Sequence, residues 1–465
     1  MELPVSRWLL LVGIVLGTTP GGQAAPAPSD ADLLAGADTR IEKHRKADAA
    51  IVVVDAAGRP LSNAKIDVEQ TRHAFLFGCN IFLWGSLPNE TTEQARSATR
   101  IVPRPGLPDS PPGEKLEQAY RRRFADLLNY ATLPFYWAGY ERERGKPDHE
   151  RIERIARWCQ QHGIRTKGHP LAWNCSDAAW FPSDPDELYR LQLGRIDDCV
   201  RRFAGLIDRW DVVNEATEFE RVSFLKIAPK HSAMWKKVGQ IEFIRQCLLR
   251  ARAANPKATL LVNDYYTGPA FERLLEQLAD EHGHLLCNTI GIQSHMIGRV
   301  WPPKETWRVC QQFSRFALPL HFTETTIISG DRLPKKKGDW PSTPEGEARQ
   351  AREVAGFYTL LFSHPAVEAI TWWDLSDWHS WLEGGPAGLL RSDMTPKPAY
   401  EELKRLVKGK WWTKTELRSG ADGTAAFRGF LGDYQLTVRR DGKAAVVKKV
   451  SLARGKANRF TIPVP

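Results

Sequence analysis

The sequence predicts an α/β protein, a (β/α)8 barrel with a small β-sandwich formed by N- and C-terminal segments. Three observations predict it. Between residues 72 and 407 eight apolar strand-like runs occur with helical spacing between or after them; outside that stretch the pattern is strand and turn; and two of the eight runs stop on a carboxylic acid, Glu215 and Glu324. A length of 465 residues suits a barrel of roughly 250 residues or more with a smaller partner.

The chain starts with Arg7, an apolar run over residues 8–16 and small residues around Gly22-Gln23-Ala24-Ala25. That is the layout of a secretory signal over residues 1–24, too short to cross a bilayer as a stable helix. The expectation is a secreted or periplasmic protein without a membrane partner after signal removal. Residues 25–48 read as a linker running into a helical lead-in, and 49–71 as an N-terminal β segment, with strands at 50–55 and 64–70 around the turn Gly58-Arg59-Pro60. Two strands alone are marginal, so residues 411–465 are expected to complete them; there Asp422-Gly423, Gly432-Asp433 and Asp441-Gly442 punctuate short alternations.

Within the barrel, strands are predicted at 75–79, 127–132, 164–170, 207–214, 259–264, 289–293, 318–323 and 369–373. Helical spacing occurs at 115–128, 149–162, 186–203, 237–253, 270–282, 345–362 and 398–407. Eight alternations favour a closed barrel over an open doubly wound sheet, and no glycine-rich phosphate loop follows an early strand. Loops 100–113, rich in proline, and 327–343, with Lys335-Lys336-Lys337, fall on the expected mouth side and read as solvated loops.

The net charge is +10 with a pI near 9.2, but the basic residues are scattered among acids, which argues against a nucleic-acid partner. Seven cysteines without metal-ligand spacing read mostly as buried free thiols, although an exported chain could pair two. No histidine pair has zincin spacing and no glycine-flanked serine elbow occurs, so neither a metal cofactor nor a serine nucleophile is expected. The 17 tryptophans offer flat faces to sugar rings, a use that competes with core filling.

In a parallel barrel every strand ends at one mouth. Asn80, His169, Trp173, Asn214, Glu215, Asn263, Asp264, Tyr265, Gln293, His295, Glu324, Trp373 and Trp381 would therefore converge, though any one histidine or aspartate in the set could be structural. Two glutamates at such a mouth suggest glycoside hydrolysis, one protonating the leaving oxygen and the other attacking the sugar carbon. Position alone leaves open which does which.

The ordered motifs Gly168-His169-Pro170-Leu171-Ala172-Trp173, Asp211-Val212-Val213-Asn214-Glu215, Asn263-Asp264-Tyr265, Gly291-Ile292-Gln293-Ser294-His295, Thr323-Glu324, Trp373 to Trp381 and Pro396-Lys397-Pro398-Ala399-Tyr400 resemble glycoside hydrolase family 10, the retaining endo-β-1,4-xylanases. The resemblance covers roughly residues 72–407. It implies Glu215 as acid/base, Glu324 as nucleophile, Asn214 on the 2-hydroxyl of the attacked sugar, and His295 orienting Glu324. It also implies His169, Trp173, Gln293, Trp373 and Trp381 lining the sugar site, with Asn263 and Tyr265 as further substrate contacts. A polysaccharide is then the partner of a monomeric enzyme that needs no cofactor.

Three departures stand out. The family's Thr-Pro-Glu-Asn-x-x-Lys-Trp run is Thr132-Leu133-Pro134-Phe135-Tyr136-Trp137 here, without the acid, amide and lysine that bind xylose hydroxyls. Thr326 stands where the family has an aspartate behind the histidine, and Asn174 replaces a usual histidine. The alternatives to a xylanase are therefore a related enzyme for a substituted or different β-glycan, and a sugar-binding barrel that has lost turnover.

Overall fold

The computed structural model describes residues 28–99, 111–332, 340–382, 384–440 and 444–465. The expected signal segment, most of the proline-rich loop and Lys335-Lys336-Lys337 lie outside them.

Two strands, β1 (Lys46–Val54) and β2 (Lys65–His73), precede the barrel. Then β3 (Leu76–Asn80), β4 (Tyr130–Pro134), β5 (Arg165–His169), β6 (Arg209–Asn214), β7 (Thr259–Asp264), β8 (Thr289–Met296), β9 (Leu320–Ile327) and β10 (Val367–Trp372) pair in parallel, in chain order. β10 closes the ring on β3, with Ala369 beside Leu76. The remaining strands are β11 (Lys414–Arg418), β12 (Thr424–Phe430), β13 (Gly432–Arg439), β14 (Val446–Leu452) and β15 (Arg459–Pro463).

All eight barrel strands fall where the apolar runs put them, but β8 and β9 run on past their expected ends. Every residue of β9 is buried, including Thr323, Thr325 and Thr326, so its polar half carries no alternation to read. Helix starts follow local chemistry. Asp184 accepts from the Asp186 N–H with Pro185 in the first turn, and Thr343 accepts from Gly346 N–H ahead of Pro344. The helix expected over 270–282 is Pro269–Glu276 and stops early, because Asp280 gathers the His282 and His284 N–H groups into a turn. Helices Val222–Ile227, Pro229–Val238 and Pro303–Ser314 add to the expected set.

The lead-in is docked rather than a free linker. Helices α1 (Asp30–Ala35) and α2 (Ala37–Arg45) lie against the barrel; Ile41 joins its core, Arg40 Nε donates to Ser363 Oγ at 3.1 Å, and Asp30 caps the Lys304 N–H at 2.7 Å.

The two chain ends form one sandwich. One sheet has the order β12-β1-β15, the other β11-β2-β13-β14. They share a core of Ile51, Val53, Ile66, Val68, Phe427, Tyr434, Leu436, Val438 and Ile462. Burial alternates along β13, the pattern of a strand with one face inward. Seven free cysteines match the sequence reading; six are buried and Cys175 is half-buried.

At the junction, Trp411 is 1% exposed, stacked on Phe77 at 5.9 Å and tilted on Phe362 at 4.4 Å. Trp412 meets the edge of His73. Both indoles are occupied by packing. Trp411→Ala is expected to cost about 3–5 kcal/mol in urea unfolding, the range for emptying a buried aromatic site.

Candidate active site

Two irregularities in the barrel ladder build the mouth. Between β8 and β9 the register steps from Ile292↔Phe322 to Gln293↔Glu324, which leaves Thr323 as an extra residue. A regular strand would send Thr323 and Glu324 to opposite faces. Here both meet Asn263: the Thr323 hydroxyl donates to its Oδ1, and its Nδ2 donates to Glu324 Oε1 at 2.7 Å. Between β6 and β7 a similar step separates Asp211↔Leu261 from Val213↔Val262.

After β6 the chain turns at Glu215, whose φ of 52° is left-handed, an uncommon conformation for a residue with a side chain. Its N–H is anchored on Asn263 O at 2.8 Å.

Amides connect the two acids. Gln293 Nε2 donates to Glu215 Oε1 at 3.2 Å and reaches Asn214 Oδ1 at 3.3 Å; Asn263 Nδ2 bridges Asn214 Oδ1 and Glu324 Oε1, both at 2.7 Å. Because Asn214 Oδ1 accepts, its buried Nδ2 is left as a donor with no protein partner. His169 Nε2 and Trp173 Nε1 are likewise buried without one. Buried polar atoms rarely go unpaired, and these three belong to residues the motifs assign to a sugar. Gly291 makes the bridge feasible, since a Cβ there would lie 2.5 Å from Asn263 Oδ1.

Glu324 is 5% exposed, and burial taken alone pushes its carboxyl up. His169, the His295 hydrogen bond and Lys167 outweigh that desolvation and hold its carboxyl below the ordinary value. His295 Nε2 lies 3.2 Å from Glu324 Oε2, and His169 Nε2 lies 3.9 Å from Oε1. Glu215 moves the other way: burial first, then the Glu324 charge, push it up to about 8. One carboxyl is thus held as an acid and its neighbour as an anion, the division that acid/base and nucleophile roles require.

Beneath them runs a buried ion cluster that the sequence reading did not assign. Asp211 Oδ2 lies 2.7 Å from His169 Nδ1 and 2.6 Å from Lys167 Nζ, and all three side chains are sealed from solvent. Asp211 accepts from His169 Nδ1–H and so turns Nε2 toward Glu324. The sequence signal was the two-residue step from His169 back to Lys167 on one strand face.

The Thr326 departure keeps a contact to the histidine. Its hydroxyl sits 2.9 Å from His295 Nδ1 and 2.9 Å from Trp373 O, with Trp381 Nε1 at 3.3 Å. Trp381 is 41% exposed and lies over His295 at 4.4 Å, so its indole is open to a ligand. Trp373 is buried against the edges of His169 and Phe82.

Other expected residues take different places. Asn263 is fully buried and positions both acids from below instead of touching solvent. Tyr265 is on the rim, its hydroxyl donating to Glu218 Oε2 at 2.5 Å. Asp264 accepts from the Thr217 and Tyr266 N–H groups, a turn role, and Asn80 donates to Asp374. Asn174 is spent on Phe219 O and Ser232 Oγ. Where the family's acid, amide and lysine would be, Tyr136 packs against Phe82, His169 and Trp173 at 5.5–5.8 Å.

The profile of glycosyl hydrolase family 10 matches residues 129–406. The chain belongs to this family. Among relatives by sequence, the endo-1,4-beta-xylanase of Geobacillus stearothermophilus is 27% identical over 263 residues, 51% of this chain and 76% of its own length. The anti-sigma-I factor RsgI6 of Acetivibrio thermocellus is 25% identical over 428 residues. That alignment takes in 90% of this chain, so it reaches into the terminal segments, but the chain spans only 48% of that relative. In fold, xylanase 10B from Thermotoga petrophila RKU-1, solved with xylobiose, superimposes with a TM-score of 0.57 at 21% identity, covering 72% of this chain and 95% of its own.

A carboxyl whose folded pKa is raised loses stability as pH climbs from its ordinary 4.5 toward about 8, because the unfolded chain releases the proton first. Glu215→Gln is therefore expected to stabilise this family 10 barrel by roughly 3 kcal/mol at pH 7, with no gain below the ordinary carboxylate range, measured by urea unfolding across pH.

Proposed function

We propose that this chain is a secreted retaining endo-β-1,4-xylanase working by double displacement, with Glu215 as acid/base and Glu324 as nucleophile. The observation that carries the reading is the opposed titration of the two carboxyls, joined through Asn214, Asn263 and Gln293. In the first step Glu215 gives its proton to the glycosidic oxygen while Glu324 attacks the anomeric carbon; the bond to the leaving sugar breaks as the bond to Glu324 forms. In the second, Glu215 takes a proton from the water that displaces Glu324, and the product keeps its configuration. The free Asn214 Nδ2 suits the 2-hydroxyl of the attacked sugar.

Relatives named endo-1,4-beta-xylanase support xylan as the substrate. A substituted or different β-glycan is favoured by one observation, the aromatic wall of Phe82, Tyr136 and Trp173. Ring faces stack on sugars without selecting particular hydroxyls, so this side discriminates less than an acid, amide and lysine would. Thr326 gives little support to a barrel without turnover, since it still supports His295.

Digests of plain xylan, glucuronoxylan and β-glucan, with NMR of the first-formed anomer, test the proposal. Retained configuration on xylan is expected; inversion or no release from any of the three would sink it. Glu215→Ala should lower kcat on xylan by about 10²–10⁴-fold while sparing the first step on an aryl xyloside whose leaving group needs no proton. In the native chain kcat/KM should fall as pH rises through about 8, where Glu215 loses its proton, and this limb should be absent in the variant.

A further inference from the structure

At the end of the barrel away from the mouth, the first residues of several strands surround a recess of about 300 Å³. Arg165 opens β5, Arg209 opens β6 and Thr259 opens β7, with His321 from β9 and Glu368 from β10. The sandwich side contributes Arg45, at the end of α2, and Leu431.

The charges do not balance. Three guanidiniums face one carboxylate, Glu368, and no ion pair joins it to any of them within 4 Å among the described residues. Arg165 and Arg209 make no side-chain hydrogen bond there either. Arg45 donates to three backbone carbonyls, Phe362 O, His364 O and Val367 O at 2.5–2.7 Å, which orients it but leaves its charge uncancelled. The surroundings add little relief: Arg72 and Asp433 pair with each other, as do Lys167 and Asp211, while Arg454 adds positive charge. Burial disfavours the charge on Arg45 and on Arg165, so the uncompensated arrangement costs stability. His321, 2% exposed, also lines the recess and keeps its Nδ1 without a partner.

We propose that this recess is an anion site, separate from the catalytic mouth, that takes a small oxyanion between the forks of Arg165 and Arg209. Guanidinium pairs suit the planar or tetrahedral oxygens of a carboxylate or phosphate, and the volume corresponds to roughly ten waters, enough for inorganic phosphate or a single sugar acid. The occupant would sit between the barrel floor and the sandwich and hold them together.

The test uses the full chain in an oxyanion-free chloride buffer at constant ionic strength, titrated separately with inorganic phosphate and with glucuronate, and followed by calorimetry and Tm. A Tm rise of about 2 °C or more with at least one of them, and none with added chloride, is expected. The one that acts identifies the source as phosphate or sugar carboxylate. The Arg165→Met/Arg209→Met variant should start with a higher Tm than the native chain in chloride, because like charges are removed, and should not respond to either anion. Arg209→Lys, which keeps the charge but not the fork, should weaken the response at least fivefold and serves if the double variant does not fold. No response to either anion, a response matched by chloride, or one that persists unchanged in the variants overturns the proposal.

Discussion

An anion held inside a nearly dry barrel is the constraint on which the site depends. Glu324 has almost no contact with water, and a carboxylate there stays ionised only if the protein replaces the lost solvation. It does so from three sides: the Asn263 amide, His295, and His169 backed by Asp211 and Lys167. Each supporting group is itself tied down. The negative charge kept on Glu324 in this way adds to burial in raising Glu215, so one arrangement sets both protonation states.

The geometry comes from breaks in regularity. A uniform parallel ladder would alternate side chains strictly, and neighbouring residues could not serve one site. The extra residue at Thr323 and the left-handed turn at Glu215 break that alternation at two strand ends. Around them the ordinary ladder supplies rigidity, with Gln293 paired beside Glu324 and Asn214 beside Asn263.

The sequence made the barrel legible because eight apolar runs bounded by helical spacing admit few other closures. The terminal sandwich was legible as well, from turn signals at both ends. The acids and their flanking amides stood at strand ends where the motif order places them. What stayed hidden depended on register and contact. The step at Thr323 leaves no trace in composition, and Asn263 reads like any polar residue at a strand end although its contacts lie beneath the acids. Lys167 went unassigned, because a buried charge is recognisable only by its partner. Tyr136 marked a loss of polar groups in the sequence; the structure adds what replaced them, a continuous run of ring contacts.

The interleaving of the two chain ends bears on how the polypeptide is made. β1 pairs Ala50 with Ala426 on one side and with Arg459 on the other, so its edges stay open until β12 and β15 have been synthesised. The barrel, by contrast, adds each strand beside the last and can assemble while translation continues. The sandwich is thus a late seal that ties β1 to β15.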